Sequence, residues 1–429
     1  MSMNIQSVLS NLNKGVYREA FLLLYGNSEK AQAYQTKRYI KAVESFSEIF
    51  PTRNDINLYS APGRTEIGGN HTDHQQGSVL AGAVNLDAIA IVSFHNDGCI
   101  RLKSEGFDMI QVDLADAEIH SGESGDTAIV RGIVARFKEM GVPVEGFDAY
   151  TTSDVIRGGG ISSSAAFEIL VCTIINEHYN KGNGSPLDMA RIGWFAETTY
   201  FGKKCGLLDQ TVSAFGGLVG IDFADVVNPI IEKIDYNFAQ SGYTLCITDT
   251  KSSHEDLTDD YVAIREEMEG VASFFGKKVL SQVDEAAFYE SISELREKLS
   301  DRAVMRAAHF FDETRRAKEE AESLKNGDFE CFLKLVNESG DSSALLLQNL
   351  YSTKQPTSQA LPLAIMVSKR ILGGKGAVRV HGGGFAGTIQ AFVPNELVET
   401  YSEEMEKIFG IDTCLKLTIR PVGGVEIKN

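Results

Sequence analysis

Arg64, Asn70, His71, Asp73 and His74 stand close together in one glycine-rich stretch, residues 61–77. A guanidinium, an amide, two imidazoles and a carboxylate with little apolar periodicity suit a polyhydroxylated small molecule better than a core strand. The glycines among them let the backbone come close to a ligand. A second block, Gly158, Gly159, Gly160, Ile161, Ser162, Ser163, Ser164, Ala165 and Ala166, has the chemistry of a phosphate cradle. Its glycines admit a phosphate to the main chain, and a helix opening behind them offers unpaired N–H groups and the positive end of its dipole. The hydroxyls suit phosphate oxygens or a magnesium ion. No lysine follows the glycines as in a Walker loop, and no G-x-G-x-x-G spacing with a downstream acid marks a dinucleotide fold. The plainer reading of the block is a flexible turn with a serine N-cap.

Three further places invite chemistry. Asp209 follows Cys205, Gly206, Leu207 and Leu208, an apolar setting in which a carboxylate held ionised by a cation accepts a proton from a hydroxyl. It could equally cap the helix that opens at Gln210. Glu197 is a metal-ligand candidate or an exposed helical glutamate. His381, Gly382, Gly383, Gly384, Phe385, Ala386 and Gly387 form a hairpin turn or a close approach to a ligand or to the phosphate loop itself. Trp194 and Cys205 read as packing residues.

The elements that must position these blocks follow from periodicity. Residues 1–50 read as amphipathic helices, and 57–60 start a strand that delivers the first block. Residues 79–94, rich in Val, Ala, Ile and Leu, suit buried strand structure. A strand over 148–156 runs into the serine block, followed by a helix with Phe167, Leu170, Val171, Ile174 and Ile175 on its apolar positions. A helix over 187–201, strands over 216–223 and 243–248, helices over 259–350 and terminal strands over 415–428 complete the reading. The charge-rich segment 312–325 is a solvated helix face. A chain of 429 residues exceeds one core. The composition shift places a boundary near residue 220, with an N-terminal lobe over 1–220 and a C-terminal lobe over 221–429.

With a net charge of -18, nucleic acid and anionic membranes are poor partners. Six scattered cysteines without a CxxC pair, no basic-then-apolar leader and no apolar run of roughly 20 residues give a cytoplasmic protein as the expectation.

In their order the blocks resemble the galactokinase family of the GHMP kinase superfamily. Residues 63–74 resemble the family's sugar signature, 158–166 its phosphate loop, 205–210 its catalytic aspartate segment and 382–387 its third glycine motif. Residues 247–265 are similar to its sugar-closing segment, and 306–339 to its helical C-terminal part. The resemblance implies an α+β, two-lobed GHMP kinase fold: a first lobe like ribosomal protein S5 domain two, a ferredoxin-like second lobe, and ligands in the cleft between them. It implies ATP-dependent phosphorylation of the anomeric hydroxyl of galactose by a monomer, with ATP and magnesium. Asp209 would be the base and Arg64 its ionising partner. Asn70, His71, Asp73, Gly206 and Tyr261 would bind the sugar. Gly158, Gly159, Gly160, Ser162 and Ser163 would enclose the phosphates, and Ser164 and Glu197 would hold the magnesium ion.

The chain departs from the family at Asn70, where a glutamate that meets the sugar's C6 hydroxyl is usual. An asparagine brings no charge, so a galacturonate kinase or related hexose 1-kinase is the alternative. His74 in place of a tyrosine and Gly340 in place of a histidine are further departures. A catalytically silent ATP- and sugar-binding regulator is a third reading, opposed by the intact serine loop, Arg64 and Asp209.

Overall fold

A computed structural model describes residues 2–123, 125–156, 160–203, 205–253 and 257–428. After a two-residue strand β1 (Met3–Asn4) the chain forms helices α1 (Ile5–Asn13), α2 (Arg18–Tyr25) and α3 (Glu29–Ile49). Ser28 caps α3 by accepting from the Ala31 N–H, and α2 ends at Gly26 with φ 80°. Tyr39, Val43 and Phe46 recur at helical spacing on α3 and pack on Ile89 and Ile91. Fully burying a large apolar side chain is worth about 1.5–3 kcal/mol, which fixes this helical layer to the sheet beneath.

That sheet contains β2 (Asp55–Gly68), β3 (Ser78–Phe94), β4 (Cys99–Ser104), β5 (Met109–Asp113), β6 (Phe147–Ser153), β7 (Leu218–Asp222) and β8 (Ile230–Ile234). The order is β1-β2-β3-β6-β4-β5, with β7 pairing both β3 and β8. A second sheet has the order β10-β11-β9-β12, from β9 (Tyr243–Asp249), β10 (Ala377–His381), β11 (Thr388–Pro394) and β12 (Cys414–Leu417). The final strand β13 (Val425–Ile427) returns to the first sheet and pairs β2. Helices α4 (Gly125–Glu139), α5 (Ser163–His178), α6 (Pro186–Phe195) and α7 (Leu208–Phe215) sit with the first sheet, and α8 (Thr258–Phe274) with the long helix Asp301–Lys325. Among the described residues no helix is long and apolar enough to cross a membrane.

β2 is where the two sheets meet. It is irregular between Pro62 and Arg64 and again between Glu66 and Gly68. Thr65 points to the second sheet and bonds His381 Nε2 (3.0 Å) and Gln390 Nε2 (2.7 Å). The fully buried Arg379 donates to Ile67 O and to Glu66. On the other side the Arg64 N–H donates to Ile161 O at 3.0 Å. A Cβ on Gly63 would lie 2.7 Å from that same oxygen, so only glycine lets the serine loop lie this close on β2.

Candidate active site

Asp209 lies in the first turn of α7 but does not cap it: Leu207 occupies the cap position, without a side-chain bond. Its Oδ1 accepts from Arg64 Nε at 2.7 Å and lies 2.6 Å from Arg64 Nη2, while Oδ2 accepts from Ser162 Oγ at 2.5 Å. Arg64 Nη1 donates to Gly160 O. Residues 145 and 47 positions from Asp209 in sequence thus meet at one carboxylate. Arg64 is 12% exposed and Asp209 31%. The exposed side of the carboxylate opens into a cleft of about 1180 Å³, also lined by Asn70, His71, Asp73, Glu197, Gly206 and Tyr261. An open carboxylate beside a fixed guanidinium can accept a proton from a hydroxyl that enters the cleft.

Ser162 stands before α5 with φ 57°, a left-handed backbone that costs a non-glycine residue on the order of 1 kcal/mol. That backbone sends its hydroxyl to Asp209 instead of to the helix N-terminus, leaving the first N–H groups of α5 without a side-chain cap. Ser163 and Ser164 open α5 and are half-buried. Gly160, with φ 69°, packs on the third glycine block: a Cβ there would lie 2.9 Å from His381 Nδ1. Gly158 and Gly159 lie outside the described residues.

In the same cleft His71 Nε2 donates to Gly383 O at 2.9 Å, and Tyr261 donates its hydroxyl to Gly384 O at 2.8 Å. Burial pushes the Tyr261 phenol up to about 12 and the His74 imidazole down to about 3, so both are neutral near pH 7. Burial also raises the Asp73 carboxyl, against the opposing pull of His71. Gly206 faces it: a Cβ at Gly206 would lie 2.8 Å from Asp73 Oδ2. Asn70 is spent on the protein. Its Nδ2 donates to Glu66 Oε1 (2.9 Å) and Gly382 O (2.8 Å), and its Oδ1 accepts from Asn349 Nδ2 (2.9 Å) and Ser343 Oγ (3.5 Å).

Glu197 is buried, not an exposed helical residue, because the helix α6 continues as a wider π turn over Ala196–Tyr200 that turns it inward. Its carboxylate accepts from Lys203 Nζ (2.5 Å), Cys205 Sγ (2.9 Å) and Gln210 Nε2 (2.8 Å). The same Gln210 amide donates to Glu168 Oε2 at 2.8 Å, whose partner oxygen Oε1 is buried without a hydrogen bond. Burial, reinforced by Glu197, raises the Glu168 carboxyl well above its ordinary value. A carboxylate already facing an ammonium offers the hard oxygen donors that a magnesium ion takes, and the hydroxyls at the start of α5 are donors of the same kind. Among the described residues no group of three or more His, Cys, Asp or Glu side chains is arranged to hold a metal by itself.

Sequence reasoning missed Glu66, Glu168, Lys203 and Arg379. Glu66 carries a readable signal: it is two residues from Arg64 on a strand, hence on the same face. Glu168 stands one helical turn after Ser164, an acid among the apolar residues of the helix's first half. Lys203 and Arg379 carry no comparable local signal.

The galactokinase galactose-binding signature matches residues 44–94, and the GHMP kinases N terminal domain matches residues 128–217. A galactokinase of Glaesserella parasuis is 32% identical over 366 residues, covering 82% of this chain and 90% of the relative. One from Thermotoga petrophila is 30% identical, covering 82% and 95%. Among solved structures, Lactococcus lactis galactokinase complexed with galactose superimposes with a TM-score of 0.76 at 20% identity, over 89% of this chain and 98% of that one. A mevalonate kinase does so with a TM-score of 0.58 at 15% identity, over 84% and 98%. The fold is that of the GHMP kinases.

Proposed function

The chain belongs to the galactokinase family, and we propose that it transfers the γ-phosphoryl group of ATP to the anomeric hydroxyl of galactose, giving galactose 1-phosphate and ADP. The observation that carries this reading is Asp209, held by Arg64 and Ser162 with its free side open to the cleft.

Phosphoryl transfer asks for positioning, charge neutralisation and a deprotonated nucleophile. Asp209 takes the proton of the C1 hydroxyl. The sugar oxygen bonds the γ-phosphorus as the bond to the β,γ-bridging oxygen breaks, and ADP leaves with that electron pair. Arg64 pairs with Asp209 and stabilises charge on the phosphoryl group in flight. His71, Asp73, Gly206 and Tyr261 orient the sugar, and Asn70 completes that wall. Gly158, Gly159, Gly160, Ser162 and Ser163 enclose the phosphates with the uncapped start of α5. Ser164 and Glu197 would hold a magnesium ion, which when bound neutralises phosphate charge. Lys203 then neutralises Glu197 when the metal is absent. All these residues come from one chain, so the site is complete within a single protomer, and the reading takes the enzyme as a cytoplasmic monomer.

With ATP, magnesium and galactose the protein is expected to release one ADP per sugar phosphorylated, with the new phosphate on C1 by phosphorus NMR. ADP release indifferent to the sugar, or phosphate on another carbon, would overturn the reading.

A further inference from the structure

We propose that Glu66 reads the C6 end of the sugar: its free carboxylate oxygen accepts a hydrogen bond from the C6 hydroxyl of a neutral hexose, and its charge excludes hexuronates. This rests on the galactokinase reading of the cleft and deepens it.

Asn70 sits at the signature position expected to meet that end of the sugar, yet it cannot do so as it stands. It is 1% exposed, and both its amide hydrogens and its carbonyl oxygen are engaged by Glu66, Gly382, Asn349 and Ser343. What it holds instead is a carboxylate. Glu66 Oε1 takes the Asn70 Nδ2 bond at 2.9 Å and the Arg379 Nη2 contact at 3.3 Å. Glu66 Oε2 has no partner among the described residues, and the side chain lines the same cleft wall as Asn70 and His71. Two hydrogen bonds therefore fix the direction of the group while one oxygen stays available.

The position along β2 fits the size of a monosaccharide. Glu66 is two residues from Arg64 on the same strand face, roughly 7 Å at the usual strand rise. Arg64 marks the C1 end through Asp209. A hexose whose anomeric hydroxyl meets Asp209 therefore presents a remote hydroxyl to Glu66. Burial raises the Glu66 carboxyl, but Arg379, Asn70, Arg64 and His71 all pull the other way. A carboxyl group thus stands where the asparagine alone would have left only an amide. A sugar carboxylate at C6 would face it at short range, and Arg379, fully buried behind Glu66, has no exposed side to offer that carboxylate.

The test is calorimetric binding of galactose and galacturonate to the intact enzyme with a non-hydrolysable ATP analogue, for the wild type, Glu66→Gln and Glu66→Asp. The wild type and Glu66→Asp are expected to bind galacturonate at least tenfold more weakly than galactose. Glu66→Gln is expected to gain tenfold or more for galacturonate while losing severalfold for galactose. The inference is overturned if Glu66→Gln excludes galacturonate as strongly as the wild type. Equal admission by the Gln and Asp variants also overturns it, since that pattern marks a structural prop and not a charge. A wild type that binds as described but releases no ADP with galactose contradicts the kinase reading and leaves the assignment of Glu66 standing.

Discussion

Asp87 and Asp209 are both aspartates held by arginine, and they differ in what is left open. Asp87 is fully buried: Arg38 lies 2.6 Å from Oδ1 and Arg420 3.2 Å from Oδ2, with Tyr25 at 2.6 Å and Ser60 also donating. Burial alone would raise its carboxyl, yet the two guanidiniums and the hydroxyls hold it below the ordinary range. Both oxygens are committed, and the partners come from α2, α3, β2 and the residues just before β13. Asp87 therefore ties the N-terminal helices and the end of the chain to the sheet. Asp209 has one arginine, one serine and an exposed side facing the cleft. An aspartate closed on all sides serves the fold, and one with a free side serves chemistry.

Substituting the two arginines separates these roles most sharply. Arg64→Ala is expected to lower kcat about 10²–10³-fold, the scale of losing one preorganised charge at a transition state, with little change in melting temperature. Arg38→Ala is expected to cost about 3 kcal/mol of stability by stripping a partner from a buried carboxylate, while the folded fraction keeps its turnover. Denaturant titration and steady-state kinetics on both variants check this. If Arg38→Ala lowered kcat as far as Arg64→Ala without unfolding, the distinction would fail.

A smaller effect is expected at the open side of the cleft. Gly206→Ala places a methyl about 2.8 Å from Asp73 Oδ2, and the KM for galactose should rise roughly tenfold, about 1.4 kcal/mol, with the KM for ATP unchanged. The same kinetics with ATP as the varied substrate shows whether the effect stays at the sugar.

The smallest concerns a third carboxylate. Glu320 is buried against Gly68 with neither oxygen hydrogen-bonded. Burial, reinforced by Glu313 and opposed by Arg379 and Arg316, raises its carboxyl well above the ordinary value. A raised carboxyl stabilises the fold below the unfolded-state value near 4.5, and that contribution is lost as pH rises through the folded-state value. Glu320→Gln should therefore raise the melting temperature at pH 8 by about 2 °C, the scale of 1 kcal/mol in a large domain, and by less at pH 5. A gain that does not depend on pH would contradict the charge explanation.

Much of this site was legible in order along the chain, because glycine blocks and helix starts are local signals. The convergence of Arg64, Ser162 and Asp209 was readable only through the family resemblance, since nothing local joins positions 145 residues apart. The alternatives that composition left open were settled by tertiary context. Asp209 is not a cap because Arg64 and Ser162 claim its oxygens. Glu197 is not solvated because a π turn redirects it. Asn70 drew attention to itself while the charge stood on Glu66, whose meaning depends on Arg379 at 313 positions' distance. The strand returning at 425–427 could not be assigned to a sheet from its own residues, since its pairing with β2 is a contact across the whole chain.

Single-turnover phosphoryl transfer from ATP to galactose in Asp209→Asn, at saturating concentrations of both substrates, tests the open carboxylate most directly. Asparagine keeps the shape and loses the capacity to take a proton, so the rate is expected to fall by about 10³-fold or more while ATP binding stays within twofold. A rate within tenfold of the wild type would show that the proton goes elsewhere.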